Sequence, residues 1–432
     1  MKIIAGRVLS FKKNPFYNLL NDSYHLIDEG GVVINNNIIE DIGEINYLKK
    51  KYSKAEVFDY GKSLISSGFI DSHMHYPQTG IIASWGKRLI DWLNEYTFPE
   101  EIKFKDSLYA RNIASKTLDY LIKNGTTTAS SFCTTHPQSV EVFFDEANKR
   151  EMLVLGGKNC MDRNAPTDLL DTPKKSFDES ENLIKKWHNK NRIKYAITPR
   201  FAPTSSPDQL EALGHLWKKY PDCLMQTHLS EQKEEIEWVK KLFPQSQSYL
   251  DVYEKFSLIG NGAIYGHSIH LSQDDINKIS DTNSSVIHCP TSNLFIGSGL
   301  FKMRELNESL VKIGLGTDTG GGTSFSMFKT MSEAYKVSQL NKNVIHPIQL
   351  HWLATQGSAI ALNIDDKVGN LKIGNYADIV AINLTSTGEI KQRYIKSSSF
   401  FEQYFPTIIM GDDRAIEAVW INGKLIHSKQ ML

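Results

Sequence analysis

Two histidines one residue apart, His73 and His75, follow a short apolar run and are the first residues with the spacing of a metal site. In an extended strand, side chains at positions i and i+2 point to the same side. Both imidazoles would then project together, as half of a metal site that needs further ligands from elsewhere in the chain. Two unrelated histidines on a half-exposed strand are the alternative, and the pair alone does not decide between them.

More potential ligands end other short apolar runs. His228, His267 and His288 each end one, and Asp318 ends the last. If these runs are parallel strands of one barrel, their carboxyl ends meet on a single rim, where barrel enzymes carry their catalytic residues. Three imidazoles and a carboxylate suit zinc or iron, with one coordination position left open for water. We predict that one metal ion is bound by His73, His75, His228 and Asp318.

The remaining histidines have less definite roles. His267 is expected to be a fifth contact of the metal or a partner of its water, whereas His288, beside Cys289, could be purely structural. A second metal is not expected. Barrel hydrolases with two metals bridge them with a modified lysine on the fourth strand, but Lys194 stands at the start of that predicted strand and no lysine stands at its end.

Glu231 lies three residues after His228, at the start of a predicted helix. An ordinary first-turn glutamate, stabilised by the helix dipole, is one interpretation. Its position beside the predicted metal favours another, because a carboxylate there can take a proton from the attacking water and pass it to a leaving group. We predict that Glu231 is a general acid and base.

The elements that must position these residues alternate between short apolar strands and amphipathic helices over residues 63–367. About eight strands occur, each followed by a helix or loop, which predicts parallel strands joined by helical crossovers. The expected fold class is α/β, a distorted TIM (β/α)8 barrel. Residues 1–62 and 368–432 carry short strands instead, and both termini are expected to form one small β-sandwich domain beside the barrel.

Composition limits the functional classes. The chain has 432 residues, of which 41% are hydrophobic and 23% charged, as in globular proteins. Its 49 basic and 49 acidic residues balance, which argues against a nucleic-acid partner. No apolar run reaches the roughly 18 residues of a membrane span, so no membrane partner is expected. The four cysteines are widely spaced, which is typical of reduced thiols in a cytoplasmic protein.

These motifs together resemble the amidohydrolase superfamily and, within it, the guanine deaminases, over nearly the whole chain. The first loop and the insertion after it narrow the resemblance to the guanine deaminases, together with Pro199-Arg200-Phe201. The other motifs are typical of the superfamily. The matching stretches are His75-Tyr76-Pro77-Gln78, Ile82-Ala83-Ser84-Trp85-Gly86, residues 91–99, residues 198–203, residues 226–231, residues 288–293 and residues 316–320.

The resemblance implies a zinc-dependent hydrolysis of guanine to xanthine and ammonia, with one ion per subunit. Glu231 would carry a proton to the ring nitrogen, Asp318 would accept the second proton of the water, and His267 would steady the intermediate. Gln78, Arg200 and Phe201 would hold guanine. The resemblance also implies a homodimer. The complete set of expected substrate contacts is His75, Gln78, Arg200, Phe201, His228, Glu231 and Asp318.

Some alternatives stay open at this point. A related deaminase could act on another purine, a pyrimidine or an s-triazine, and a non-catalytic barrel could keep the metal as a scaffold. Residues 77–100 are a plausible lid over the pocket. Within them, Trp85 and Trp92 either cover the base or belong to the core of the insertion.

Overall fold

The computed structural model describes residues 1–86 and 88–429. It begins with strands that pair across the N-terminal region. Asn36, with a φ of 56°, turns the chain between the second and third strands, as the Asn35-Asn36-Asn37 sequence predicts. The elements are β1 (Lys2–Phe11), α1 (Leu20–Ser23), β2 (Tyr24–Asn35), β3 (Ile38–Glu44), α2 (Ile45–Lys51) and β4 (Glu56–Ser67).

A parallel barrel sheet follows. Its strands are buried along almost their whole length, as expected when helices or side chains cover both faces. The strands are β5 (Phe69–His75), β6 (Thr126–Phe132), β7 (Leu153–Gly157), β8 (Asn159–Cys160), β9 (Ile193–Pro199), β10 (Leu224–Leu229), β11 (Ala263–His267), β12 (Ser285–His288) and β13 (Lys312–Leu315). They pair in chain order, except that the two-residue β8 pairs only with β9.

The first and last strands meet at the rim. The amide of Asp318 donates to the carbonyl oxygen of His73 at 2.8 Å, and the amide of His75 donates to Thr319 at 2.7 Å. The segment that follows β13 therefore joins the end of β5 and brings the two ends of the sheet together.

Helices connect the barrel strands. Several begin with the caps that their sequences predict; the Ser206 hydroxyl, for example, accepts from the Gln209 amide at 3.2 Å before a proline at the first helical position. They are α3 (Leu89–Trp92), α4 (Phe98–Ile102), α5 (Ser107–Lys123), α6 (Pro137–Lys149), α7 (Pro173–Trp187), α8 (Pro207–Lys219), α9 (Lys233–Leu242), α10 (Tyr249–Lys255), α11 (Gln273–Asp281), α12 (Pro290–Phe295), α13 (Met303–Glu308), α14 (Met327–Leu340), α15 (Pro347–Leu353) and α16 (Gln356–Ala361).

The C-terminal region returns to the first sheet. Its elements are β14 (Ile379–Ile382), α17 (Gly388–Ile395), α18 (Phe400–Met410), β15 (Ile416–Ile421) and β16 (Lys424–Ser428). β14 pairs antiparallel with β4, so the terminal strands form one seven-stranded sheet in the order β16-β15-β14-β4-β1-β2-β3. The predicted fold class, a TIM-like barrel with a separate β unit built from both termini, is confirmed. Residues 430–432 of the predicted C-terminal part lie outside the described residues.

None of the helices in the described part of the chain is long and apolar enough to cross a membrane. The cysteines Cys133, Cys160, Cys223 and Cys289 are all buried and free.

Candidate active site

The four predicted metal ligands converge at the barrel rim. His73 and His75 come from β5, His228 from β10, and Asp318 from the segment after β13. The Nε2 atoms of His75 and His228 lie 3.1 Å apart. Oδ1 of Asp318 lies 3.5 Å from Nε2 of His73 and 3.4 Å from Nε2 of His75. Ligands of a tetrahedral zinc ion with bonds of about 2.1 Å lie about 3.4 Å apart, so the spacing fits such an ion.

The hydrogen bonding of these donors also fits a metal. Nε2 of His73 is buried and has no hydrogen-bond partner among the described residues. Buried polar atoms are normally paired, so such an atom indicates a missing ligand. Around His73, candidate donor atoms within 4.8 Å of one another form two sets, His73 with His228 and His267, and His73 with His75 and Asp318. The structure therefore places His267 close enough for the fifth contact that the sequence left open.

The charge states suit metal binding as well. Burial lowers the pKa values of His73, His75 and His228, which keeps these imidazoles neutral with a lone pair free for a ligand bond. Burial acts to raise the pKa of Asp318, but the close approach of His73 and the nearby His267 outweigh burial and lower that pKa. The site thus combines three neutral imidazoles with one ionised carboxylate.

A second layer of contacts orients the donors. Nδ1 of His228 lies 2.7 Å from the carbonyl oxygen of Arg200, which can only accept, so Nδ1 carries the proton and Nε2 presents its lone pair. Asp71 accepts from the amide of Thr317 at 2.9 Å and from its hydroxyl group. Asp71 therefore positions the segment that carries Asp318. Sequence reasoning missed it, although its position two residues before His73 on the same strand is a signal.

The predicted proton-transfer groups lie beside the donors. Oε2 of Glu231 is 3.5 Å from Nε2 of His267, which is 3.8 Å from Oδ2 of Asp318. Burial raises the pKa of Glu231 to about 7, and Ser298 donates to its Oε1 at 3.0 Å. Nδ1 of His267 lies 2.8 Å from Oδ1 of Asn293 and donates to it. Glu231 is therefore buried, oriented and able to exchange a proton near neutral pH.

A pocket opens over this cluster. Gln78, Arg200 and Phe201, the predicted substrate contacts, line it together with Trp92 from α3. The other lining residues are His75, Leu89, Leu93, His228, Glu231, His267, Ser292, Ile296, Asp318 and Gly321. Every residue predicted to contact substrate therefore faces one cavity. Trp92 lines the pocket and is 2% exposed, whereas Trp85 does not line it and is 80% exposed. Of these two tryptophans, only Trp92 covers the pocket.

Other residues singled out in the sequence lie elsewhere. His288 stacks on Phe301 with ring centroids 4.3 Å apart, and burial lowers its pKa to about 3. Lys194 is at the opposite end of the barrel from the rim, with Nζ 3.3 Å from Oδ1 of Asn189.

Glu101 is a residue of the site that sequence reasoning missed. It is fully buried in α4, where it accepts from Gln78 Nε2 at 3.1 Å and from Arg200 Nη1 at 2.6 Å. No signal in the sequence separates it from the adjacent Glu100.

Comparison with known proteins agrees with this geometry. A family model described as the Amidohydrolase family matches residues 64–426, so the chain belongs to the amidohydrolase class of barrel proteins. The guanine deaminase of Escherichia coli K12 is 42% identical over 404 residues, which cover 93% of this chain and 92% of that protein. Within its class, the chain falls among the guanine deaminases.

Solved structures give the same grouping. The E. coli guanine deaminase superposes with a TM-score of 0.97 at 40% identity, covering 99% of this chain and all (100%) of that chain. A guanine deaminase from C. acetobutylicum, solved with guanine bound in its active site, gives a TM-score of 0.90 at 31% identity, with coverage of 99% and 100%.

Proposed function

We propose that this protein hydrolyses guanine to xanthine and ammonia, with one metal ion held by His73, His75, His228 and Asp318. The observation that carries the proposal is a single cavity that joins the ligand cluster and the buried Glu231 to a guanidinium and an amide. The similarity to a guanine deaminase solved with guanine in its active site supports the same substrate.

The choice of metal follows from the donor set. Neutral imidazoles with one carboxylate suit zinc, and iron is the second choice. A zinc ion at this position would lower the pKa of a coordinated water toward about 7 and so supply a nucleophile at neutral pH.

The residues of the chain bind and orient the substrate. Arg200 offers a fixed fork of donors to a carbonyl oxygen, and Gln78 offers an amide beside it. Phe201 and Trp92 supply apolar surface for the flat ring, and Leu89 and Leu93 help to exclude water. The ring carbon that bears the exocyclic amine would then face Glu231.

The residues also move the protons. Glu231, with its pKa near 7, takes a proton from the attacking water and delivers it to the adjacent ring nitrogen. Asp318 accepts the second proton and passes it to the departing amine, while His267, anchored by Asn293, donates to the new oxygen. A carbon–oxygen bond forms, the carbon–nitrogen bond breaks, and ammonia leaves.

The test is ammonia release from guanine by metal-replete protein, before and after treatment with a chelator. Cytosine, adenosine and an s-triazine serve as competing substrates. Release from guanine alone, lost on chelation and restored by zinc, is the expected result. Release from none of the four would contradict the proposal, and preference for another would reassign the substrate.

The remaining expectations belong to the same proposal. Residues 1–62 and 368–432 form one small domain around a catalytic domain of residues 63–367, with β4 continuing across the first boundary. β14 pairs with residues 64–67 of β4, which supports one domain built from both termini but carries its first segment past residue 62. The protein acts as a homodimer in the cytoplasm, where its four free cysteines stay reduced. Light scattering on the purified protein tests the dimer.

A further inference from the structure

Glu101 lies behind two groups that read the substrate. Its side chain is fully buried, and its two carboxylate oxygens have different partners. Oε1 accepts from Nε2 of Gln78 at 3.1 Å, and Oε2 accepts from Nη1 of Arg200 at 2.6 Å. Gln78 comes from the loop after β5 and Arg200 follows the end of β9. Glu101 therefore links two separate segments by accepting a hydrogen bond from each.

The adjacent glutamate has a different environment. Glu100 bonds to Lys103 at 2.7 Å and to the hydroxyl of Tyr109, whereas Glu101 bonds to two residues that line the pocket. Both glutamates are on α4 and both are buried. The chain therefore provides a matched control of the same residue type, at the next position, on the same helix.

The contact with Glu101 determines which way the Gln78 amide faces. A carboxylate accepts hydrogen bonds, so the nitrogen of the amide must face Glu101. The amide oxygen then lies on the other side, where the backbone N–H of Gly320 is 3.5 Å away. Two contacts therefore orient the amide, and the one with Glu101 is the shorter of them.

The same contact holds the guanidinium of Arg200. Arg200 is 2% exposed, and Glu101 occupies one of its two terminal nitrogens. The other donors of the fork stay available to a ligand in the cavity. The pocket therefore presents donors from Arg200 beside an acceptor from Gln78.

We infer that Glu101 is a positioning and specificity-determining residue, which selects a ring edge that carries a carbonyl next to a ring N–H. The inference rests on the proposed function, in which guanine supplies that edge at its C6 carbonyl and N1. An edge with an amino group next to a bare ring nitrogen has the reverse pattern. It would leave both the donors of Arg200 and the acceptor of Gln78 unpaired, which is an effective means of rejection.

The experiment compares Glu101→Gln with Glu100→Gln in the metal-replete enzyme. It measures kcat and KM for guanine, and the inhibition constant of 2,6-diaminopurine, which has an amino group in place of the C6 carbonyl. In Glu101→Gln, we expect KM for guanine to rise at least tenfold while kcat changes less than threefold. The ratio of the inhibition constant of 2,6-diaminopurine to KM for guanine should fall at least tenfold. Metal content should not change, and Glu100→Gln should keep the wild-type ratio.

A second variant guards against misfolding of the first. Glu101→Asp keeps the charge opposite Arg200 but is one methylene too short to hold both partners, so KM should rise at least threefold and the ratio should fall. If the protein deaminates guanine but both Glu101 variants have the same KM and the same ratio as Glu100→Gln, the proposed role of Glu101 is wrong. If the wild-type protein releases no ammonia from guanine, the proposed function is wrong instead.

Discussion

Nδ1 of His228 donates to the carbonyl oxygen of Arg200 at 2.7 Å, so one residue that lines the cavity orients a proposed metal ligand through its backbone. The side chain of Arg200 faces Glu101 and the cavity. In the proposed function, metal binding depends on the backbone of Arg200 and substrate binding on its side chain, so mutation of the side chain should separate the two.

Arg200→Ala should weaken guanine binding far more than metal binding. The variant loses charge-assisted donors worth about 1.5–3 kcal/mol each, so KM should rise tenfold or more, while the backbone carbonyl still orients His228. Steady-state kinetics and the metal content of the purified protein measure the two effects. An unchanged KM would contradict the pocket role.

The loss of Arg200 also leaves Glu101 as an unpaired buried charge, which costs about 3–5 kcal/mol of the free energy of unfolding. Arg200→Lys is the control, because it keeps a positive charge opposite Glu101 without the planar fork. It should fold more stably than Arg200→Ala and still show a raised KM.

Glu231→Gln should retain the metal and lose turnover. The amide is nearly isosteric but cannot carry the proton, and general acid–base catalysis typically contributes about 10²–10⁴-fold. The variant's kcat and metal content are to be measured beside those of Glu237→Gln, which changes an exposed glutamate on α9. Turnover retained in Glu231→Gln would show that another group carries the proton.

Metal removal should lower stability as well as activity. An ion that binds only the folded state stabilises it by about 2.7 kcal/mol when its free concentration is 100 times its dissociation constant. Urea unfolding of the chelated protein, with and without added zinc, measures this shift. His73→Ala removes a donor that has no other hydrogen bond in the described structure, so zinc should shift its unfolding midpoint much less. Equal shifts in both proteins would place the metal elsewhere.

Stability should fall in mild acid because of His351. This residue is buried between the terminal sheet and the barrel, with Nε2 2.6 Å from the Ser66 hydroxyl and Nδ1 2.7 Å from that of Tyr404. Burial lowers its pKa from 6.5 to about 3. Between these values the unfolded chain binds a proton that the folded protein does not. The free energy of unfolding should therefore fall by about 1.4 kcal/mol per pH unit as pH decreases from about 6.5 toward 3.

Urea titrations at several pH values in this range measure the slope of stability against pH. The comparison is between the wild type and His351→Gln, because other groups of the wild type also titrate. In His351→Gln, the slope should be smaller by about 1.4 kcal/mol per pH unit, which corresponds to one proton. His25→Gln, at an exposed position, should have the wild-type slope. Identical slopes in all three proteins would contradict the assignment to His351.

Much of the site can be predicted from the sequence because a parallel barrel converts position along a strand into position in space. His73, His228 and Asp318 are far apart in the chain, yet each follows an apolar run and so reaches the same rim. Glu231 can be predicted because it lies three residues after His228 in the chain. These inferences need only the period of the strands and the rule that their carboxyl ends share a face.

The contacts of residues 85–102 cannot be predicted in this way. Glu100 and Glu101 are the same residue type, and only the docking of α4 against the rim decides which one meets Arg200. The same holds for Trp85 and Trp92, of which only the second is buried. No period or motif encodes these contacts, because they arise between segments that share no strand or helix.

The hydrogen bond between Asp318 and His73 joins the last and the first of the four proposed metal donors in chain order. Asp318 is the last of the four donors to leave the ribosome, and its amide bonds to the strand that left first among them. A nascent chain that has exposed His73, His75 and His228 still lacks the carboxylate and the segment that closes the barrel. Tight retention of the proposed metal ion would therefore require a closed barrel, because the same segment supplies the carboxylate and joins the two ends of the sheet.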